Sequence, residues 1–145
     1  MKTIPINHSV FYARLTEYVM IHHPQRIKET DFITERAAAA ARVFESSSIA
    51  GMSVEEAMAE ADHTLFEGLL FSPFQLVREV VITEFDYTEN DDELDEFTLQ
   101  MLDNVQPLIA AHQPDDHFQG STEYTELYNE IKESINQYLV RNGIQ

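Results

Sequence analysis

Tyr124-Thr-Glu-Leu-Tyr-Asn-Glu-Ile-Lys-Glu-Ser-Ile-Asn-Gln-Tyr-Leu139 sets Tyr124, Leu127, Tyr128, Ile131, Ile135, Tyr138 and Leu139 at helical intervals. At about 3.6 residues per turn these side chains fall on one side of an α-helix, and the Glu, Asn, Lys and Gln between them fall on the other. A strand of the same residues would scatter them over both faces. Ser121 precedes the pattern as an N-cap and Gly143 follows it as a stop. The spacing therefore predicts a helix from about Ser121 to Asn142.

The same period recurs toward the N-terminus. Leu94, Phe97, Met101, Leu102, Val105, Leu108 and Ile109 mark a helix with an acidic first turn, which suits the positive end of its dipole. In Ser72-Pro73-Phe74-Gln75, Ser at the cap, Pro at the first helical position and Gln at the third agree with one another. Leu76, Val77, Val80 and Val81 then point inward. Val80-Val81-Ile82-Thr83 is β-branched but has no partner strand, so it reads as helix. Ser53-Val54-Glu55-Glu56 is a capping box opening a helix that runs through Ala57, Ala61, Leu65 and Leu69. An alanine-rich helix runs from about Asp31 to Ala50, with Thr30 or Asp31 as its cap and Gly51 just past its end. The first helix spans about His8 to His22, with Val10, Phe11, Leu15, Tyr18, Val19 and Ile21 as its apolar side, and Pro24 ends it. The acidic stretch Asp86–Asp92 reads as a loop or a helix start, and His112–Gly120 as a loop. No repeat, low-complexity tract or boundary interrupts the chain. The expectation is an all-α fold: a compact bundle of five to six helices, a single helical domain over residues 1–145.

The 145 residues are 43% apolar and contain no cysteine, which excludes disulfides, thiol chemistry and Cys-based zinc sites. The N-terminal Met1-Lys-Thr-Ile-Pro-Ile-Asn-His8 has no apolar h-region, and no run approaches the length of a membrane span. These features point to a soluble cytoplasmic protein with no membrane partner. Charge is the most uneven property. No base occurs between Arg78 and Lys132, a gap of 53 residues holding 15 Asp or Glu. Of the net charge of −17, residues 79–145 carry −14. A surface built from that half cannot neutralise phosphates, so direct nucleic-acid binding is not expected. A basic protein partner is expected instead, engaging Asp91, Asp92, Glu93, Asp95 and Glu96.

Three stretches together resemble a known family. They are Asp31-Phe32-Ile33-Thr34-Glu35-Arg36-Ala37, then Gly68-Leu69-Leu70-Phe71-Ser72 followed by Glu84-Phe85, then Asp116-His117-Phe118 with Ser121-Thr122-Glu123-Tyr124-Thr125-Glu126-Leu127-Tyr128. In this order and spacing the chain, from about Val10 onward, is similar to the Bacteroidetes domain-of-unknown-function family numbered eighteen ninety-six. Asn129-Glu130-Ile131-Lys132 departs from that family's usual pattern. The resemblance implies a helical fold and a neighbourhood near conjugative transposons. It brings no catalytic residue with it.

Candidate chemistry is sparse. Glu60-Ala-Asp-His63 has the Glu-x-x-His spacing of carboxylate-bridged di-iron bundles, but no second such pair exists, so it reads as a surface coincidence. His112-Gln-Pro-Asp-Asp-His117 gathers His112, Asp115, Asp116 and His117 as weak candidates for a divalent metal. They fall short of the ligand count of a defined site, and no metal or other cofactor is expected. His22-His23 reads as a cationic end to the first helix. No nucleophile motif or phosphate-cradling glycine loop is present, so no catalytic residue is assigned. The aromatic residues at helical spacing read as core. The expected function is that of a non-enzymatic cytoplasmic interaction or accessory protein associated with a mobile element. The alternatives are an acidic decoy that mimics nucleic acid toward a basic nucleic-acid-binding protein, and a metal-dependent enzyme. Oligomeric state is left open.

Overall fold

The computed structural model describes residues 8–86 and 90–143. Among them are six α-helices: α1 (His8–His22), α2 (Thr30–Ile49), α3 (Val54–Leu65), α4 (Pro73–Phe85), α5 (Asp91–His112) and α6 (Thr122–Arg141). Short 3-10 turns occupy Pro24–Arg26 and Phe118–Gly120. No strand occurs among the described residues. The β-branched run Val80–Thr83 lies inside α4, where Val80 and Val81 are fully buried. Packing there outweighs a propensity cost of about 0.5 kcal/mol per residue. The acidic stretch Asp86–Asp92, read as a loop or a helix start, falls partly outside the described residues, and its last two residues begin α5.

Packing divides the chain into two compact units, residues 1–69 and 70–145. The sequence, read as one domain, marks no boundary between Leu69 and Leu70. In the first unit, α2 packs against both α1 and α3. Phe11, Leu15 and Val19 form the buried stripe of α1, and Ile33, Ala37 and Ala40 that of α2. The alanines serve twice: they favour helix, and their small side chains let neighbouring helices approach. Val10 and Ile21 do not join this core. They are 39% and 52% exposed, because at about 100° per residue they project away from the Phe11–Leu15–Val19 stripe.

The helix ends follow local chemistry. The Ser53 hydroxyl accepts from the Glu56 N–H at 3.1 Å, and the Glu56 carboxylate accepts from the Ser53 N–H at 3.0 Å, completing the expected capping box. At the start of α2, Thr30 is already helical and Glu29 occupies the cap position without a side-chain bond, so neither Thr30 nor Asp31 is the cap. Gly51 follows α2 with φ +99°, where a side chain would be strained. The apolar period through Leu69 predicts a longer α3 than is formed. The helix stops at Leu65, and the chain turns at Gly68, φ +79°, before Leu69 returns to the core.

In the second unit α4, α5 and α6 pack on one another. Their core joins Leu76, Val77, Val80 and Val81 of α4, Leu94, Met101, Leu102, Val105 and Ile109 of α5, and Leu127, Ile131 and Ile135 of α6. Each such side chain contributes roughly 1.5–3 kcal/mol by leaving water. Hydroxyl or amide caps start all three helices: Ser72 accepts from Gln75 N–H, Asn90 from Glu93 N–H and Ser121 from Tyr124 N–H. α5 runs through His112, one of the residues expected in the following loop, and ends at Gln113 in the left-handed conformation, φ 49°. The exposed Pro107 sits within α5, where its missing N–H falls on the solvent side and water can serve the freed carbonyl.

Candidate functional site

The acidic start of α5 is built by its cap. Asn90 accepts from the Glu93 N–H at 2.9 Å and donates from its amide to the Glu93 carboxylate at 3.2 Å. This fixes the first turn, and Asp91, Asp92 and Glu93 sit at the positive end of the helix dipole. Arg78 of α4 faces two of the five carboxylates. Its Nε donates to Asp95 Oδ1 at 3.0 Å, and a terminal guanidinium nitrogen lies 3.7 Å from Asp91. Asp92 and Glu96 are exposed and make no ion pair among the described residues. Residues 70–145 hold 16 acids and three bases. Of those bases Arg78 is engaged here, and Lys132 pairs with Glu84 at 3.0 Å.

The candidate metal ligands do not come together. His112 turns to α6, with Nδ1 3.1 Å from Glu123 Oε2 and Nε2 3.0 Å from Glu130 Oε1. Two carboxylates, one at each ring nitrogen, favour the imidazolium, which can donate to both, and the bonds to Glu130 and then Glu123 raise the pKa of His112. Asp115 accepts the His117 N–H at 2.9 Å, Asp116 accepts the Leu70 N–H at 3.0 Å, and the His117 side chain faces solvent. Glu60 and His63 are exposed on α3, and between them both carboxylate oxygens of Asp62 accept from one guanidinium nitrogen of Arg14 at 2.6 Å. Among the described residues no group of three or more His, Asp or Glu side chains is placed to hold a metal ion.

His23 corrects another expectation. It is not a cation at the end of α1. It is 3% exposed, its Nε2 lies 2.8 Å from the Leu69 carbonyl, and burial lowers its pKa. The neutral ring donates to that carbonyl, and the Tyr18 hydroxyl donates to the same oxygen at 3.0 Å.

Several polar joints have no signature in local sequence spacing. One guanidinium nitrogen of Arg36 donates to the carbonyls of Thr64, Leu65 and Glu67, closing the end of α3 from α2. The Arg36 and Arg26 guanidinium carbons lie 4.9 and 4.4 Å from the centre of the Phe32 ring. In the second unit the Tyr128 hydroxyl donates to Glu84 at 2.8 Å, while Lys132 holds the other oxygen of that carboxylate. Lys132 and then Tyr128 lower the Glu84 pKa, and burial followed by the Glu84 bond pushes Tyr128 up to about 12.

The stretches that carry the family resemblance are these joints. Phe32 and Arg36 stack and cap. Gly68 turns the chain, and Leu69 offers its carbonyl. Phe71 packs edge-on against Phe118 at 5.0 Å, Ser72 starts α4 and Ser121 starts α6. Within each unit they hold the fold. A solved structure, that of protein PG0816 from Porphyromonas gingivalis, is similar to this chain with 27% identity and a TM-score of 0.88, over 96% of this chain and 95% of that one. No curated protein shows significant similarity. The family profile described as Domain of unknown function (DUF1896) matches residues 5–144, and the chain therefore belongs to that family.

Proposed function

We propose that the protein is a non-enzymatic interaction or accessory protein of the cytoplasm, and that it binds a basic protein partner through the acidic start of α5. The observation that supports this is the exposure of Asp92, Glu93 and Glu96 beside Asp91 and Asp95, with Arg78 as the one cation paired to the group among the described residues. Exposed carboxylates of one sign raise the encounter rate with a basic surface, and salt screens them beyond about 8 Å. No described helix is long and apolar enough to cross a membrane.

The test is affinity capture from the native cell at low and raised salt. Wild type is compared with a variant in which Asp91, Asp92, Glu93, Asp95 and Glu96 are changed to their amides. A basic partner should be retained by wild type, released by salt and lost by this variant. It should persist when Glu55, Glu56 and Glu60 are neutralised instead. Equal capture by both variants, insensitive to salt, would refute the proposal. A narrower reading follows from the spacing of Asp92 and Glu93 against Glu96, about 5–6 Å on a helix face, which suits a decoy for nucleic-acid phosphates. Displacement of the captured partner by duplex DNA would favour that reading.

A further inference from the structure

The α1 helix is apolar on two sides. Phe11, Leu15 and Val19 face the core of the first unit. On the opposite side Val10, Ala13, Glu17 and Met20 recur at intervals of three, four and three, with Ile21 beside them. Val10 is 39% exposed, Ile21 52% and Met20 60%. Tyr12, Ala13, Thr16, Glu17, Met20 and Ile21 line an open groove of about 520 Å³ along this side. A solvated helix face carries charged and polar residues, whereas the three–four spacing of small and medium apolar residues is that of a helix–helix seam. Ala13 in the middle allows close approach of a second helix axis.

Two polar groups in this groove lack partners among the described residues. The Thr16 hydroxyl oxygen is shielded from solvent and makes no hydrogen bond. The Glu17 carboxylate makes no ion pair, and the nearby Arg14 is committed to Asp62 at 2.6 Å. A single charged residue within an apolar seam selects the partner that neutralises it.

We propose that the outer face of α1 is a docking seam for a partner helix that has its own three–four apolar spacing and a lysine or arginine opposite Glu17. The basic head group pairs with the exposed Glu17, and the apolar residues cover Val10, Ala13, Met20 and Ile21. A second copy of this chain is a poor occupant. A parallel pair would set Glu17 against Glu17, and an antiparallel pair would bring the two carboxylates within roughly 6 Å along the seam. Each copy also carries a net charge of −17. This inference concerns residues of the first unit and is independent of the α5 proposal.

The test uses the full chain and two synthetic helical peptides. Both have leucine at every a and d position except a central a position, which is Lys in one and Glu in the other. Fluorescence anisotropy should show the Lys peptide binding about tenfold or more tighter than the Glu peptide, a typical worth for a close charge pair. The variant Glu17→Lys should reverse that preference, although the chain as a whole stays strongly acidic. Met20→Asp, exposed and so expected to fold, should bind neither peptide. Circular dichroism would verify that both variants are folded. Binding of the Lys peptide unchanged by Glu17→Lys would mean attraction by overall charge and would overturn the proposal. So would failure of both peptides to bind, or sedimentation showing a wild-type dimer that Met20→Asp dissociates.

Discussion

Replacing Ile131 with alanine tests the packing of the second unit directly. Ile131 is 0% exposed and shares a buried cluster with Leu127 and Ile135 on its own helix and with side chains of α4 and α5. Alanine removes three carbons. At about 0.8 kcal/mol per buried carbon group the lost transfer free energy is about 2.4 kcal/mol. The walls of the resulting cavity belong to three helices whose own contacts hold them apart, so collapse is partial, and the total cost reaches about 3–4 kcal/mol. For a chain of this size that lowers Tm by on the order of 10 °C. Thermal and urea melts followed by far-ultraviolet circular dichroism measure the shift, with an unchanged urea slope showing that the unfolded state is comparable. Ile82→Ala is the control. Ile82 is 41% exposed on α4, and its loss should cost about 0.5 kcal/mol or less. If Ile131→Ala melts within a degree or two of wild type, the α6 stripe is not core, and the account of the second unit fails with it.

The His112 bridge makes stability depend on pH. Its folded pKa stands above the ordinary 6.5, so its stabilisation is complete below that value and is lost as pH rises through the raised one. Urea midpoints measured from about pH 5.5 to about pH 8.5 should fall more in wild type than in His112→Gln. Equal slopes would refute the bridge. Arg36→Met leaves the carbonyls of Thr64, Leu65 and Glu67 without their shared donor and should cost about 1.5–3 kcal/mol in urea melts. Arg36→Lys should recover only part of this, because an ammonium lacks the planar face that lies over Phe32. Ser53→Ala removes the hydroxyl half of the capping box and should cost about 1 kcal/mol, with Ser53→Gly costing only about a few tenths.

Features that depend on a few consecutive residues were readable in advance. The Ser53 box, the Ser72–Pro73–Gln75 start and the Ser121 cap are each decided within one helical turn. The faces of α4, α5 and α6 are decided by period alone. Features that join distant residues were not readable. The apolar period that runs to Leu69 continues past the true end of α3, because Leu69 is as buried as a helical residue would be, though it reaches the core after the Gly68 turn. On α1, apolar residues on both sides let Val10 and Ile21 pass for core. His23 looked like a helix-end cation because its acceptor, the Leu69 carbonyl, lies 46 positions away. The loop His112–His117 is arranged by distant residues in the same way. His112 takes its partners from α6 and Asp116 from Leu70, and neither partner is visible in the spacing of the loop. The five acids of α5 are plain in the sequence, whereas Arg78 holds Asp91 and Asp95 across a helix pair, 13 and 17 positions away.

The Leu69 carbonyl gives the first unit a definite moment of completion during synthesis. Contacts within α1, α2 and α3 are made mostly between successive helices, an arrangement that shortens the search for native pairing. Yet Tyr18 and His23 receive their shared acceptor only from Leu69, the last residue of that unit. Until that residue has left the ribosome, the imidazole has no acceptor in the core, and it is better left in water. Elongation at about 5–20 residues per second then adds the 76 residues of the second unit over several seconds, ample time for a small helical unit to close. A nascent chain stalled just before Leu69 should therefore resist a protease less than one stalled just after it, when each is held far enough beyond the exit tunnel.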